Sequence, residues 1–267
     1  MAAGFKYNLD PVVENEERYD VQTGIRRRGP FRLDTTGLVI GSTLPSFTPI
    51  KADLVNRFAY VVKNVELYED AAIAATSLKV INNHIFKKDD YLLIGDKAVK
   101  ITAITKDASY DTLTVGAIPM ALVAGEVLTE AKVASYKRTA IVIEATEANA
   151  TEVKVTKGSG IGTGKIMNGS TEITISAVDT TNVDYDELTA SAALGVIAKN
   201  TVLTEKTATG AIAKNVADSA LYERKKVAEG ELVALLRSAG EIEPSKLALP
   251  FSKADKENLK GWFAFNE

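Results

Sequence analysis

Residues 108–116 read ASYDTLTVG, and residues 183–191 read VDYDELTAS. Four residue types recur at a spacing of 75 between these two stretches. The recurring pairs are Tyr110 and Tyr185, Asp111 and Asp186, Leu113 and Leu188, and Thr114 and Thr189. Recurrence at a fixed period indicates either a catalytic element used twice or a folding unit built twice.

The same spacing relates other stretches of the chain. TSLKV at 76–80 aligns with TEVKV at 151–155, and VLTEA at 127–131 aligns with VLTEK at 202–206. A middle stretch aligns at 74 instead, which a one-residue difference in a turn explains. The repeat therefore predicts two units of about 75 residues, spanning roughly residues 61–135 and 136–210.

Each copy has the alternation of a half-buried β-strand. One side of a predicted strand carries apolar residues in both copies: Val99, Ile101 and Ala103 in the first, Ile173, Ile175 and Ala177 in the second. Leu113 and Leu188 are expected to point inward. Short strands between Gly-, Asn- and Asp-rich turns favour a small antiparallel sandwich or barrel. The fold class is thus predicted as mainly β, with two tandem modules.

The ends of the chain differ from the repeat. Residues 1–52 show no long period and contain four prolines, so we expect an extended arm that lies on another surface or subunit. Residues 211–267 are expected to add strands and a short helix packing on the first module. The predicted organisation is an arm at 1–52, β-modules at 53–135 and 136–210, and a C-terminal segment at 211–267.

The arm contains the candidate binding residues. Its basic cluster is expected to be either a solvated charge run or an electrostatic clamp onto an acidic protein surface, with nucleic-acid binding as a weaker alternative. Four apolar residues are predicted to anchor the arm. The predicted binding residues are Arg26, Arg27, Arg28, Arg32, Val39, Ile40, Leu44 and Phe47.

The C-terminal segment contains two recognisable patterns. EGELVALLRSAGEI at 229–242 is compatible with a helix or with two strands, and strands pairing with those that lead into the two copies are favoured. Ser252 with Asp255 has the spacing of a capping box, and Gly261 can end the helix that follows. The apolar residues 262–265 are expected to be buried in the core, with a subunit contact as the alternative.

Composition excludes several kinds of chemistry. The chain has no cysteine, a single histidine and a net charge of -3. Disulfides, thiolate sites and paired-histidine metal sites are excluded, and neither nucleic acid nor a membrane is expected as a partner. No signal peptide or membrane span is predicted, so we expect synthesis in a cytoplasm.

Three local patterns suggest chemistry and are better explained by turns. GSGIGTGK at 158–165 lacks the first glycine and the final Ser or Thr of a phosphate-binding loop, so a hairpin turn is predicted. His84 is expected to lie in a surface turn. The acidic stretch at 184–187 lacks calcium-loop spacing. No catalytic, cofactor or metal site is predicted.

The sequence resembles a family of phage structural proteins. The residues that carry the resemblance are NRFAYVVKNVELYEDAAIAATSLKV, KKDDYLLIGDKAVKITAIT and ASYDTLTVGAIPMALVAGEVLTEA in the first copy, and GEIEPSKLALPFSKADKENLKG near the end. They are similar to head fibre and capsid decoration proteins of tailed phages of gut Bacteroides, including crAss-like phages. The resemblance covers about residues 53–135 and the last forty residues.

This resemblance implies a structural virion protein outside the capsid shell, made in the host cytoplasm. It implies binding to the major capsid protein and formation of a homo-oligomer, with a trimer favoured and a dimer or monomer as alternatives. No family active site is implied. The alternative function is a carbohydrate-binding or host-adhesion module without catalytic activity, for which Tyr110 and Tyr185 are the candidates to contact a host surface glycan.

Overall fold

The computed structural model describes residues 20–266, which form two compact units. Unit 1 combines the chain up to Val61 with the chain from Val216, and unit 2 is Val62–Asn215. The protein is mainly β with one α-helix near the C-terminus, which confirms the predicted fold class. Within residues 20–266, α1 (Lys253–Leu259) has seven residues, and no helix has the length and hydropathy of a membrane span.

The strands are named in chain order. Unit 1 begins with β1 (Asp20–Arg26), β2 (Phe31–Leu33), β3 (Thr43–Leu44), β4 (Pro49–Asp53) and β5 (Phe58–Val61). Unit 2 begins with β6 (Asn64–Glu66), β7 (Ser77–Val80), β8 (Tyr91–Ile94), β9 (Lys97–Lys106), β10 (Asp111–Val115) and β11 (Val127–Tyr136). It continues with β12 (Thr139–Ile141), β13 (Glu152–Thr156), β14 (Gly164–Asn168), β15 (Thr171–Asp179), β16 (Tyr185–Ala190), β17 (Val202–Glu205) and β18 (Gly210–Ala213). Unit 1 resumes with β19 (Ser219–Leu221), β20 (Lys225–Lys226), β21 (Leu232–Val233), β22 (Leu235–Ile242), a 3-10 turn (Pro244–Lys246), α1 and β23 (Phe263–Phe265).

Unit 1 is built on a sheet whose strand order is β1-β22-β19-β4-β5-β2-β21, with β23 beside β22. Strands from both chain segments are interleaved in this order, so neither segment forms the sheet alone. Its core includes an aromatic cluster in which the Phe47 ring meets Phe251 and Phe263 edge to face, each at 5.9 Å between centroids. Such pairs add to the hydrophobic contribution of the buried rings.

The C-terminal segment forms strands, as favoured by the sequence, but their neighbours differ from those predicted. β22 pairs with β1, β19 and β23, and β21 pairs with β2. None of these is a strand that leads into a repeat copy. The reason is that residues 20–53 supply strands of their own, and these take the positions next to the C-terminal strands.

The first closed sheet of unit 2 is a ring of six strands in the order β6-β11-β8-β9-β10-β7. Hydrogen-bonded pairs connect each neighbour, and an isolated bridge between Leu67 and Val80 closes the ring. The inward side chains form one apolar cluster that includes Leu92, Ile101 and Leu113. A closed ring removes the exposed strand edges that would otherwise pair with other chains.

The second closed sheet has the same order at equivalent positions, β12-β17-β14-β15-β16-β13, and Val142 bridges Val155 to close it. These two residues lie 75 positions after Leu67 and Val80. The register is also equivalent, because Val127 lies opposite Glu66 and Val202 lies opposite Ile141. Leu188 is completely buried in this sheet, as Leu113 is in the first, and the inward orientation predicted for both is confirmed.

One part of the predicted alternation is wrong. Ala103 and Ala177 are exposed, because each of the strands β9 and β15 contains a β-bulge just before that alanine. An extra residue on one strand reverses which side chains face the core beyond it. Ile104 and Val178 pack against the two cores instead. The bulged residues Thr102 and Ser176 each donate a hydroxyl hydrogen bond of 3.1 Å across the pair, to the carbonyls of Thr114 and Thr189.

The chain path is nested. Along the sequence, the strands of the second closed sheet come after β11 and before β18, and β18 pairs with β11 of the first closed sheet. The residues of unit 2 in turn come after the first segment of unit 1 and before the second segment. The unit boundaries at Val61 and Val216 thus differ from the predicted divisions at 52 and 210, because β4 and β5 form a hairpin within unit 1.

The C-terminal helix confirms the capping prediction. Ser252 is the N-cap of α1, its hydroxyl accepts a hydrogen bond from Asp255 N at 3.2 Å, and the Asp255 carboxylate accepts one from Ser252 N at 2.9 Å. Gly261 follows with φ +88°, a conformation that favours glycine. Of the apolar residues beyond it, Phe263 is buried and Trp262 is half exposed, so the expectation of burial holds only in part.

Candidate functional site

The arginines of the predicted arm have different environments in unit 1. Arg27 is mostly buried, its Nε donates to Ser219 Oγ at 2.6 Å, and its Nη2 donates to the Asp218 carbonyl at 2.8 Å. It therefore holds β19 in place within unit 1. Arg26 is exposed, with its guanidinium 4.9 Å from the centre of the Tyr222 ring.

Arg28 and Arg32 are exposed next to a third arginine that lies far along the chain. The Arg57 guanidinium donates to the carbonyls of Arg28 and Pro30 and lies 4.0 Å from the centre of the Phe31 ring. The backbone N–H of Arg32 donates to the Arg57 carbonyl at 2.8 Å. Three arginine residues thus lie close together around the start of β2, with the Arg57 side chain held against Phe31.

Apolar residues lie beside these arginines because of the strand register. Arg32 is directly opposite Leu232 of β21 on one side and opposite Phe58 of β5 on the other. Leu232 is 54% exposed and Phe58 is half-buried, so this face of the sheet edge is accessible. We call this surface the basic edge, and it consists of Arg28, Arg32, Arg57, Phe58 and Leu232.

The four predicted apolar anchors fall into two groups. Leu44 and Phe47 are buried in the core of unit 1 and are not available to a partner while the unit is folded. Val39 and Ile40 are 61% and 58% exposed at the tip of a loop. Backbone hydrogen bonds of 2.8 Å between this loop and Val227 fix its base.

A second exposed apolar tip follows β4. Leu54 and Val55 are 55% and 87% exposed in the turn between β4 and β5. The Asp53 carboxylate accepts hydrogen bonds from the backbone N–H of Asn56 at 2.9 Å, from the Asn56 side chain at 2.8 Å and from the backbone N–H of Val55 at 2.9 Å, and these bonds lower the pKa of Asp53. These bonds hold the exposed apolar pair in an ordered turn.

The recurring tyrosines belong to a surface arrangement that is repeated in the two closed sheets. In the first, Lys79 pairs with Glu69 at 3.0 Å and lies 4.9 Å from the centre of the Tyr110 ring. In the second, Lys154 pairs with Glu144 at 2.8 Å and lies 5.3 Å from the centre of the Tyr185 ring. The other main neighbour of Tyr110 is Tyr68, whose ring centre is 5.2 Å away. Both tyrosines are half-buried, and a lysine covers each ring.

The recurring aspartates are buried, and their partners differ between the sheets. Asp186 accepts backbone hydrogen bonds from Gly158 at 2.9 Å and Ser159 at 3.2 Å, which organises the predicted hairpin turn. Asp111 instead lies 3.1 Å from Nε2 of His84, which is 75 residues before Ser159. The carboxylates thus fasten turns in both sheets.

The prediction that His84 lies at the surface is wrong. Its side chain is 4% exposed, because the turn folds the ring back over the first closed sheet to reach Asp111. Burial lowers the pKa of His84, the Asp111 charge opposes this shift, and the Lys106 charge adds to it. Among residues 20–266, no group of three acidic or histidine side chains is placed to hold a metal.

A buried cation marks the start of each closed sheet. Lys63 and Arg138 are 75 residues apart, their side chains are 2% and 4% exposed, and each faces a buried glutamate, Glu130 or Glu205. Arg138 also donates to Asp96 of the first closed sheet at 2.6 Å. Burial acts to lower the pKa of Arg138, but the hydrogen bond and charge of Asp96 outweigh it and raise that pKa.

Some of these residues carry a signal that can be read from the sequence, and others carry none. The spacing of 75 would have paired Lys63 with Arg138, since it also pairs Glu130 with Glu205. The partners of Arg32 in the basic edge carry no such signal. They come from separate parts of the chain and meet only through long-range strand pairing.

Comparisons with known proteins identify one family. No curated protein and no solved structure matches the chain. Residues 1–157, well over half of the 267 residues, match the family described as head fiber protein, and the match ends just after β13. It includes all of the first segment of unit 1 and all of the ring strands of the first closed sheet. The chain therefore belongs to the head fiber protein family.

Proposed function

We propose that unit 1 attaches this phage structural protein to the outside of the capsid, on the major capsid protein, and that unit 2 displays two closed β-sheets. The family supports a structural role in the virion. The narrower relation to tailed phages of gut Bacteroides rests on the resemblance of residues 53–135 and of the C-terminal end.

The observation that carries the proposal is the basic edge. The ion pairs within the described part of unit 1 use Arg27 and four lysines, and none includes Arg28, Arg32 or Arg57. Three arginines without a carboxylate partner in that part of the chain, next to exposed Leu232, favour an acidic partner with an apolar contact. Arginine and aromatic side chains are enriched where protein interfaces bind most strongly.

The tip of Val39 and Ile40 extends the proposal, because an interface needs buried apolar area as well as charge. The loop is fixed at its base before any partner binds, which reduces the entropy lost on binding. The closed sheets of unit 2 have no free edge within their rings, a property suited to display rather than to strand-mediated attachment.

The positions of the strands in unit 1 determine which variants can test the proposed attachment. Deleting residues 1–52 would remove β1, β2, β3 and most of β4 and would unfold unit 1, whereas deleting residues 1–19 leaves every described strand in place. Charge reversal of Arg28 and Arg32 to glutamate is the sharper change, because both side chains are exposed. The control reverses Lys88 and Lys199, which are exposed in unit 2.

Binding to purified capsids or to the major capsid protein is measured by co-sedimentation and by association rate at several salt concentrations. We expect the arginine variant to lose most binding at low salt and the lysine control to keep it, since charges at an interface mainly control association rate. A V39S/I40S variant should weaken binding with little change in salt dependence. Unchanged binding of the arginine variant would remove the basic edge from the proposal. The proposed homo-oligomer, with a trimer favoured, is tested by light scattering on the same samples.

A specific observation favours glycan binding as a second candidate, at a site other than the two tyrosines. Trp262 is 51% exposed beside a cavity of about 340 Å³, and Arg237 lies 4.3 Å from its ring centre. Concave sites lined by aromatic and apolar side chains with a few polar groups are the usual form of small-ligand sites. Trp262 is the single tryptophan, so quenching of its fluorescence by host-surface glycans measures this directly. The absence of any change in fluorescence or glycan-array signal would eliminate the candidate.

A further inference from the structure

The buried cluster at the start of the first closed sheet contains an amine and two carboxylates in close contact. Lys63 Nζ lies 2.7 Å from Asp90 Oδ2 and 3.4 Å from Glu130 Oε1. The three side chains are 2%, 9% and 9% exposed, so water has little access. Lys214 Nζ approaches the outer side of Glu130 at 3.0 Å, and the Lys87 backbone N–H donates to Asp90 Oδ2 at 2.9 Å.

We propose that Lys63 and Asp90 condense to an intramolecular isopeptide bond, with Glu130 as the proton-transfer group. A hydrogen bond of 2.7 Å places the amine against the carboxyl group whose carbon it must attack. Reacting atoms held at about 3–3.5 Å can gain effective concentrations on the order of 10⁵–10⁸ M. This modification does not rest on the proposed capsid attachment.

The reaction needs no external reagent. Glu130 accepts a proton from the Lys63 ammonium and passes it to the Asp90 carboxylate, which leaves a neutral amine and a carboxylic acid. The C–N bond forms as Nζ attacks Cγ, and the Lys87 N–H stabilises the charge on Oδ2. Glu130 then moves a second proton from nitrogen to the departing hydroxyl. The C–O bond breaks, one water leaves, and Glu130 is again a carboxylate.

The second closed sheet contains an internal comparison. At the position equivalent to Lys63 it has Arg138, and Glu205 takes the place of Glu130. A guanidinium stays protonated at all ordinary pH values and does not act as a nucleophile in this way. The bond is therefore expected in the first closed sheet only, joining the residue before β6 to the residue before β8.

The test is the intact mass of the full chain under denaturing conditions. We expect a mass lower than the sequence mass by about 18 Da, one water. After trypsin, acylated Lys63 should resist cleavage and yield a branched peptide of residues 58–79 joined to residues 89–97. A full mass together with cleavage after Lys63 would overturn the proposal.

Three variants identify the groups involved. K63R keeps the charge, as Arg138 does in the second sheet, and should show the full mass. E130Q removes the proton-transfer group and should also show the full mass, or a bond formed at least tenfold more slowly. The matched control E205Q should keep the mass loss. A mass loss that persists in K63R would place the dehydration elsewhere and refute the assignment, whether or not E130Q folds.

Discussion

Replacing Arg138 with methionine should destabilise unit 2 by about 3 kcal/mol, the lower end of the range for breaking a buried ion pair. The side chain is 4% exposed, and its guanidinium contacts Asp96, Thr209 and Glu205. Methionine retains much of the apolar volume, so the loss comes mainly from the charge and its hydrogen bonds.

The two carboxylates contribute unequally to this cost. Glu205 is 9% exposed and would become a buried charge without its cation, whereas Asp96 is 45% exposed and regains water. Surface pairs are worth about 0–1 kcal/mol, so an Asp96→Asn variant should cost less than about 1 kcal/mol. In a double variant, R138M with E205Q, part of the loss should be recovered, because no unpaired charge remains.

Urea unfolding followed by circular dichroism measures the free-energy differences. Hydrogen exchange of peptides within residues 139–205 shows whether the loss is in the second closed sheet. Tryptophan fluorescence is not suitable, because Trp262 belongs to unit 1. The reasoning is refuted if R138M costs less than about 1 kcal/mol, or if Asp96→Asn costs as much as R138M.

Three further predictions concern the two closed sheets and the helix. Leu113→Ala and Leu188→Ala remove fully buried side chains and should each cost about 2–5 kcal/mol, with faster hydrogen exchange confined to the altered sheet. His84 has a pKa lowered by burial, so its neutral form contributes stability that is complete above its ordinary value of 6.5 and is lost as the pH falls below it. The control variant is His84→Ser, because serine occupies the equivalent position in the second closed sheet. The difference in urea midpoint between wild type and this variant should change as the pH falls below 6.5. A difference that stays constant with pH would contradict the buried, neutral state of His84. Ser252→Ala removes the α1 cap and should cost about 0.5–2 kcal/mol in thermal unfolding of unit 1, while a change below about 0.3 kcal/mol would show that the cap contributes little.

Several strands of the two closed sheets could be predicted because their patterns are local. Alternating Val and Ile residues identified β9 and β15, and Leu113 and Leu188 identified two core positions. The bulges in β9 and β15 could not be predicted, because a bulge is defined by the partner strand. The capping box at Ser252 was predictable because all its atoms lie within four residues.

Unit 1 was predictable only in part, since its pairs are remote in sequence. β1 and β22 are joined across about 200 residues, and β2 is three residues long, too short to show a period. Pairing between remote residues also explains why the basic edge could not be predicted from the sequence. Arg27 and Arg28 are neighbours in one basic run, yet contacts with Asp218 and Ser219 separate a mostly buried structural arginine from an exposed one.

The nested path has a consequence for synthesis on the ribosome. The second closed sheet is completed when β17 emerges, before β18 has been made and long before the last strands of unit 1. Domains fold as their sequence becomes available. The two closed sheets should therefore form in chain order, each before unit 1, and β2 must wait for β21 to complete the edge that contains Arg32. A chain that ended before β21 would carry finished closed sheets without a finished unit 1, and it would lack the attachment that we propose for that unit.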